Sequence, residues 1–300
     1  MKPGSDRAVR LRRALLLALG AIAFTAPGAW SQDLVAVMSS RLAPYQEALA
    51  GFESALGRDV PVLELPQADA NLTGATRVIV TFGGKAALQS FPKNAALVYC
   101  LAPGLELDRT LRKAATVKVW MLPRPTDLLG RLVRIQPSLS RLAVLWAAEG
   151  NQVYLRELEA AAQRRGVRIV SIKVEDASAM PQHLRAVEGR IDAIWLPPDP
   201  LLVTAQVFAV LKEFSWSNDV PLYAPNRGLV EKGATASVAV SFRDIGKAAA
   251  RATQTLLAGG ALPPDLFPEQ TEITINLTAA NECGLHLRPE AMRLADEVLP

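Results

Sequence analysis

Histidine and cysteine are nearly missing from this chain, with two of each in 300 residues. His183 and His286 stand alone, and no HxxxH, CxxC or His/Asp/Glu cluster has metal-site spacing. A GxSxG elbow, a GxxxxGK(S/T) loop and a GxGxxG fingerprint are also lacking. Catalytic triads are spatial arrangements, so scattered residues could still form one, but two histidines leave few general bases. No catalytic residue, metal or cofactor is therefore assigned. Cys100 ends an apolar run and Cys283 lies near the C-terminus. Their spacing leaves two readings open, a single disulfide or two buried thiols acting as small hydrophobes.

A global charge of one sign is missing too. The formal charge is +4, but the first 31 residues hold five of the 33 basic residues and one of the 29 acidic ones. The remainder is neutral overall, which removes the electrostatic case for a nucleic-acid partner. Long hydrophobic runs are limited to Ala14–Ala26, which is 13 uncharged residues behind Arg10, Arg12 and Arg13. That run is too short to span a bilayer, which takes about 20 residues. Basic, apolar and then small residues (Ala29-Trp30-Ser31) follow the order of a secretory signal peptide. The expectation is cleavage near Ser31 and a soluble, exported mature protein.

What is present is a repeated alternation of apolar runs and helix-period segments. LVAVM at 34–38 is a continuous apolar run of the kind a buried parallel strand requires. The segment 43–56 has apolar residues at Leu49, Phe52 and Leu56 and predicts a helix. Strands are expected at 60–65, 77–82, 95–101 and 116–121, with a helix from Pro125 to about Ile135. The pattern restarts with strands at 141–146, 167–172, 191–196, 220–223 and 234–240. Helices fall between them at 151–165, 179–187 and 201–214. A helix at 245–257, a proline-rich linker ALPPDLFPEQ (261–270), a strand at 272–277 and two short helices complete the chain. Repeated βα units predict two doubly wound parallel-sheet lobes, the architecture of a cleft-closing ligand binder.

Several segments carry a specific likeness. DAIWLPPDPLLVTAQVFAVLKEFSWSNDVPLYAPN (192–226), LVEKGATASVAVSFRDIGKAAARATQTLLAGG (229–260), TEITINLTAANECGLHLRPEAMRLADEVLP (271–300) and VAVMSSRLAPYQEALAGFESAL (35–56) occur in order. Together they resemble the ABC-transporter substrate-binding family, in its tryptophan/tyrosine-type periplasmic branch with a type I fold. The resemblance implies two α/β lobes joined by a three-crossover hinge. Lobe 1 would hold 32–137 plus 241–260, and lobe 2 would hold 138–240 plus 261–300, after a signal peptide at 1–31. It also implies a monomer that captures a small ligand, such as an aromatic or branched amino acid, and delivers it to the membrane subunits of an ABC importer. A sensory or accessory role, presenting ligand to a membrane receptor or kinase, uses the same cleft.

In parallel sheets ligands lie beyond the C-terminal strand ends, which nominates residues by position. Ser39 and Ser40 follow the first strand, and Tyr45 could stack on a ligand or pack in the core, as could Trp195. Gly83 and Gly84 open a helix, either to admit a carboxylate or as an ordinary turn. Glu149 and Asn151 follow the strand ending at Trp146, and Asn226 follows the strand at 220–223. Asp199 stands where the family carries a polar residue. It would hold a ligand ammonium or cap the next helix with Pro200 behind it. Phe242 replaces a tyrosine that relatives carry, and Ser241 replaces their aspartate, which unsettles any copied specificity. ADANLTGAT (68–76) leaves little room for the helix expected at that edge.

Overall fold

The structure is a computed structural model that describes residues 33–65 and 75–300, so the expected signal segment and most of 68–76 lie outside the described residues. The apolar run LVAVM forms β1 (Leu34–Met38), all five residues buried. Helix α1 (Ala43–Leu56) follows, with Pro44 in its first turn, where the missing N–H costs nothing. Next come β2 (Val62–Glu64), β3 (Val78–Phe82), the single-turn α2 (Gly84–Ala87), β4 (Ala96–Cys100) and β5 (Thr116–Val119). These strands pair in parallel in the order β5-β4-β3-β1-β2, with β3, β4 and β5 fully buried like β1. Burial on both sheet faces is why β1, β3 and β4 read as near-continuous apolar runs, while β5 (TVKV) buries Lys118 as well.

The second half repeats the plan. It contains α3 (Pro125–Ile135), β6 (Arg141–Trp146), α4 (Gln152–Gln163), β7 (Arg168–Lys173), α5 (Met180–Val187), β8 (Ala193–Trp195) and α6 (Ala205–Ser217). Then follow β9 (Leu222–Ala224), α7 (Arg227–Glu231), β10 (Ala236–Ala239), α8 (Phe242–Leu257), β11 (Asp265–Leu266), β12 (Glu272–Asn276), α9 (Leu277–Glu282), α10 (Pro289–Leu294) and β13 (Glu297–Leu299). The sheet order is β13-β12-β10-β9-β8-β6-β7, with β12 antiparallel to β10 and the other pairs parallel. The two sheets form two α/β lobes, as the resemblance implies, and the described residues from 33 to 300 belong to one compact unit. Among the described residues no helix is long and apolar enough to cross a membrane.

Two expected lobe boundaries move. The first was placed after residue 137, which would leave α3 in lobe 1. Instead Leu128, Leu129, Leu132 and Ile135 of α3 share a core with Leu142, Trp146, Leu158 and Ile273 of the second sheet. The first crossover therefore falls at 120–124. The third was placed at 260/261, yet β11, inside the proline-rich linker, pairs with β5 through Asp265↔Lys118 and Leu266↔Val119. That crossover falls after Leu266. In both cases a local pattern places an element, but only its packing partners place it in a lobe.

Helix α8 returns to lobe 1 and lies against α1 so closely that side chains at the crossing are excluded. A Cβ on Gly246 would meet the Ala48 backbone, and one on Gly51 would meet the Arg243 carbonyl. The cysteines stay apart in different lobes as buried free thiols, Cys100 beside the Thr81 carbonyl and Cys283 beside the Thr235 hydroxyl. Burial pushes both thiols up from their ordinary pKa.

Candidate functional site

The C-terminal strand ends of the two sheets face each other, and the lobes touch through their loops. Gly104, in the loop after β4, lies against Ala148 and Pro200 of lobe 2, and its φ of +69° suits glycine. Gly150 in turn lies against the Gly104 and Leu105 backbone. Neither position has room for a Cβ. The first crossover is packed on aromatic rings, with Trp120 stacked on Phe267 at 5.9 Å and tilted on Tyr154 at 5.5 Å. The Tyr154 hydroxyl donates to the Pro123 carbonyl at 2.8 Å. Trp195 packs on Tyr154 inside the lobe 2 core, so it is a core residue and not a ligand platform.

A cavity of about 480 Å³ opens between the lobes, within the size range of small-molecule sites. Its lobe 2 wall includes Pro198, Asn226, Arg227, Ser237, Glu272 and Thr274. Crossover residues Met121, Val240 and Phe242 line another side, and Glu47 of α1 reaches in from lobe 1. The antiparallel register sets Ser237 opposite Thr274 and Ala239 opposite Glu272. Side chains alternate along a strand, so these four share one sheet face. Ser237 is 1% exposed and its hydroxyl has no hydrogen-bond partner among the described residues. Such an orphaned buried group costs free energy unless something binds it. Glu272 is exposed at the cavity wall, and partial desolvation there, with the nearby Asp244, Asp296 and Glu297 charges, raises its pKa.

The residues expected from sequence divide into three groups. Asn226 and Phe242 line this cavity. Asn226 also caps α7, its Oδ1 accepting from Leu229 N at 3.1 Å, while Ser241 caps α8 by accepting from Asp244 N. Ser39, Tyr45 and Gly83 gather at the ends of β1 and β3, where Ser39 Oγ accepts from Ala86 N at 2.9 Å and Tyr45 lies against Gly83. With Ser40 and the open-sided Gly84 they form a separate corner of lobe 1 and do not line the 480 Å³ cavity. Glu149 is exposed and bridges Lys173 at 2.7 Å.

Asp199 and Asn151 form the third group, and here both expected roles for Asp199 give way. Its carboxylate is fully buried. Oδ2 accepts from Ala147 N, Ala148 N and Asn151 Nδ2, each at 2.8 Å, and Oδ1 accepts from Leu201 N at 3.0 Å. With four donors on its two oxygens and no exposed surface, the carboxylate is engaged inside lobe 2 and closed to a ligand ammonium. Nor does Asp199 cap α6, because that helix starts at Ala205 and Thr204 Oγ1 accepts from Val207 N. Asp199 positions the loops after β6 and β8.

Sequence reasoning missed Glu47, Ser237, Glu272 and Thr274. The available signal was a polar residue inside an otherwise apolar strand, Ser237 in ASVA and Thr274 in EITIN. A second group went unpredicted at a small void lined by Tyr99, Lys118, Trp120 and Asn151. Lys118 is buried there, with Nζ 3.2 Å from Glu106 and 3.6 Å from the Trp120 ring centroid. Asp265 accepts from Arg109 at 3.2 Å and from Trp120 Nε1 at 3.0 Å, tying two crossover segments together. Burial, and then the Glu106 charge, push the Tyr99 phenol up to about 12, and its hydroxyl sits beside Arg109 without a bond of good geometry. Among the described residues no group of three or more His, Cys, Asp or Glu side chains is placed to hold a metal ion.

Known proteins share this two-lobed fold. The chain is 23% identical over 147 residues to a tyrosine-binding protein of Clostridioides difficile (strain R20291), a match spanning 47% of this chain and 42% of that one. A structure from Streptococcus pneumoniae, an ABC domain in complex with L-Trp, superposes with a TM-score of 0.62 at 16% identity, covering 89% of this chain and 99% of that one. The ligand-free, open structure of a substrate-binding protein with adhesive properties from Clostridium difficile gives 0.63 at 15% identity, covering 89% and 98%. Identities this low establish the shared fold. A family model for the ABC transporter substrate binding protein matches residues 130–299, more than half of the chain. The two-lobed fold and this match together place the chain in the ABC transporter substrate-binding protein family.

Proposed function

We propose that this protein captures a small ligand between its lobes outside the cytoplasmic membrane and delivers it to the membrane subunits of an ABC importer. It makes no bond and acts as a monomer. The observation that carries this reading is the 480 Å³ inter-lobe cavity with the orphaned Ser237 hydroxyl in its wall. An amino acid is the ligand class favoured by the comparisons, since one relative is named for tyrosine and one structure of this fold holds L-Trp. Export is supported by the order of residues in 1–31, basic, then apolar, then small.

A thermal-shift screen of the refolded protein tests the proposal. The panel contains aromatic and branched amino acids, amines, short carboxylates, nucleosides and sugars. A ligand at 100 times its dissociation constant adds about 2.7 kcal/mol, which is worth several degrees in a protein of this size. At least one clear shift is expected, and a flat response across every class would count against solute capture.

A further inference from the structure

The charges that line the inter-lobe cavity are unbalanced. Glu47 and Glu272 contribute two carboxylates, and neither has an ion-pair or hydrogen-bond partner among the described residues. The one cationic side chain in the lining, Arg227, is already committed. Its Nε and Nη2 hold Glu297 at 2.5 and 2.8 Å, and its Nη1 holds Glu231 at 2.8 Å. A zwitterionic ligand would need a cation or several convergent N–H donors for its carboxylate as well as an acceptor for its ammonium. The lining supplies the acceptor, and among the described residues its one cation is already engaged, which leaves a carboxylate only the backbone N–H groups at the start of the five-residue α7.

The second observation is independent of charge. The Ser237 hydroxyl is buried and unpartnered, and it sits on the same sheet face as Glu272 and Thr274. A hydroxyl oxygen accepts as well as donates, whereas an ammonium presents three donors and no acceptor. Glu272 and Ser237 are diagonal neighbours across antiparallel strands, a separation of roughly 7–8 Å between backbones that one ammonium between two side chains can bridge.

We infer that the cavity selects ligands of net positive charge, an organic amine or a basic amino acid, with the ammonium held between the Glu272 carboxylate and the Ser237 hydroxyl. This rests on reading the cavity as the ligand site and narrows that reading to one charge class. Partial desolvation of Glu272 and the acids Asp244, Asp296 and Glu297 around it raise its proton affinity, and a bound cation relieves the same crowding of negative charge.

The test compares ligands of one shape and three charges by isothermal titration calorimetry on the full protein. The first set is tyramine, L-tyrosine and 3-(4-hydroxyphenyl)propionate. The second is isopentylamine, L-leucine and 4-methylpentanoate, and the third is L-lysine, L-norleucine and 2-aminoadipate, which carry net charges of about +1, 0 and −1. Glucose and a nucleoside serve as uncharged controls. In at least one set the positively charged member binds 10-fold or more tighter than the neutral zwitterion or the acid. Glu272→Gln weakens that ligand at least 10-fold and leaves the ligand-free melting temperature unchanged, and Ser237→Ala weakens it several-fold. Tighter binding of an acid, a neutral zwitterion or an uncharged compound overturns the charge assignment and leaves solute capture standing. Wild-type affinity in Glu272→Gln does the same. Silence from every compound overturns both.

Discussion

The buried Asp199 carboxylate accepts the Asn151 side-chain amide at 2.8 Å, joining two loops whose residues stand 48 positions apart in the chain. The same oxygen accepts the Ala147 and Ala148 amides, so one side chain shapes the lobe 2 surface that meets Gly104. Asp199→Ala strands four donors, the Asn151 amide buried and three backbone N–H groups partly buried, and should cost on the order of 2–4 kcal/mol. Urea unfolding measures it, and a loss below about 1 kcal/mol would show that the carboxylate is not bonded this way.

Gly150 abuts the Gly104 carbonyl across the lobe interface. A methyl group there has no room while the lobes are together, yet it meets nothing from lobe 1 once they part. Gly150→Ala should therefore shift the population toward the open form and weaken ligand roughly 10-fold, a bias of about 1.4 kcal/mol. The unliganded melting temperature should hold. Small-angle scattering reads the opening, and an unchanged radius of gyration with unchanged affinity would contradict the contact.

At the α1–α8 crossing the clash is within one lobe and cannot be relieved by opening. Gly246→Val places a branched side chain against the Ala48 carbonyl and the Phe52 amide. Overpacking typically costs about 1–3 kcal/mol, and backbone on both sides puts this case at the upper end. Thermal melting with and without ligand checks that the loss is the same in both states.

Asp192 sets the acid limb of stability. Burial works against its ionised form, but hydrogen bonds from Arg141 and from the Ser140 side chain and amide outweigh it and hold the carboxyl below its usual range. Its folded pKa lies below the unfolded value of about 3.9. The contribution is therefore fully present above that pH and is lost as pH falls through the folded value. Asp192→Asn should lower stability at pH 7 and flatten its decline below about pH 4. Parallel acid-unfolding curves for the two proteins would argue against the assignment.

Much of the fold was legible because a buried parallel strand is a local statement. LVAVM, ALVYC and the LAVLW that follows Arg141 announce themselves by unbroken apolar character, and Pro125 with an amphipathic run marks α3 to its observed limits. β11 was not legible. Two residues between prolines carry no pattern, and β11 exists because Lys118 N and Trp120 N find the Pro264 and Leu266 carbonyls. The site was legible in outline only. A strand end nominated Asn226 and the family resemblance nominated Phe242, while Ser237 and Glu272 were overlooked because they lie within or at the start of strands.

The amino-acid sequence alone determined that the chain makes two stacks of βα units, since hydrophobic periodicity needs no knowledge of distant residues. Tertiary structure decided which lobe owns α3, that Asp199 is consumed internally, and that Ser237 faces a cavity without a partner. Those outcomes depend on contacts between residues far apart in the chain. A carboxylate or hydroxyl looks the same in sequence whether its neighbours satisfy it or leave it free for a ligand.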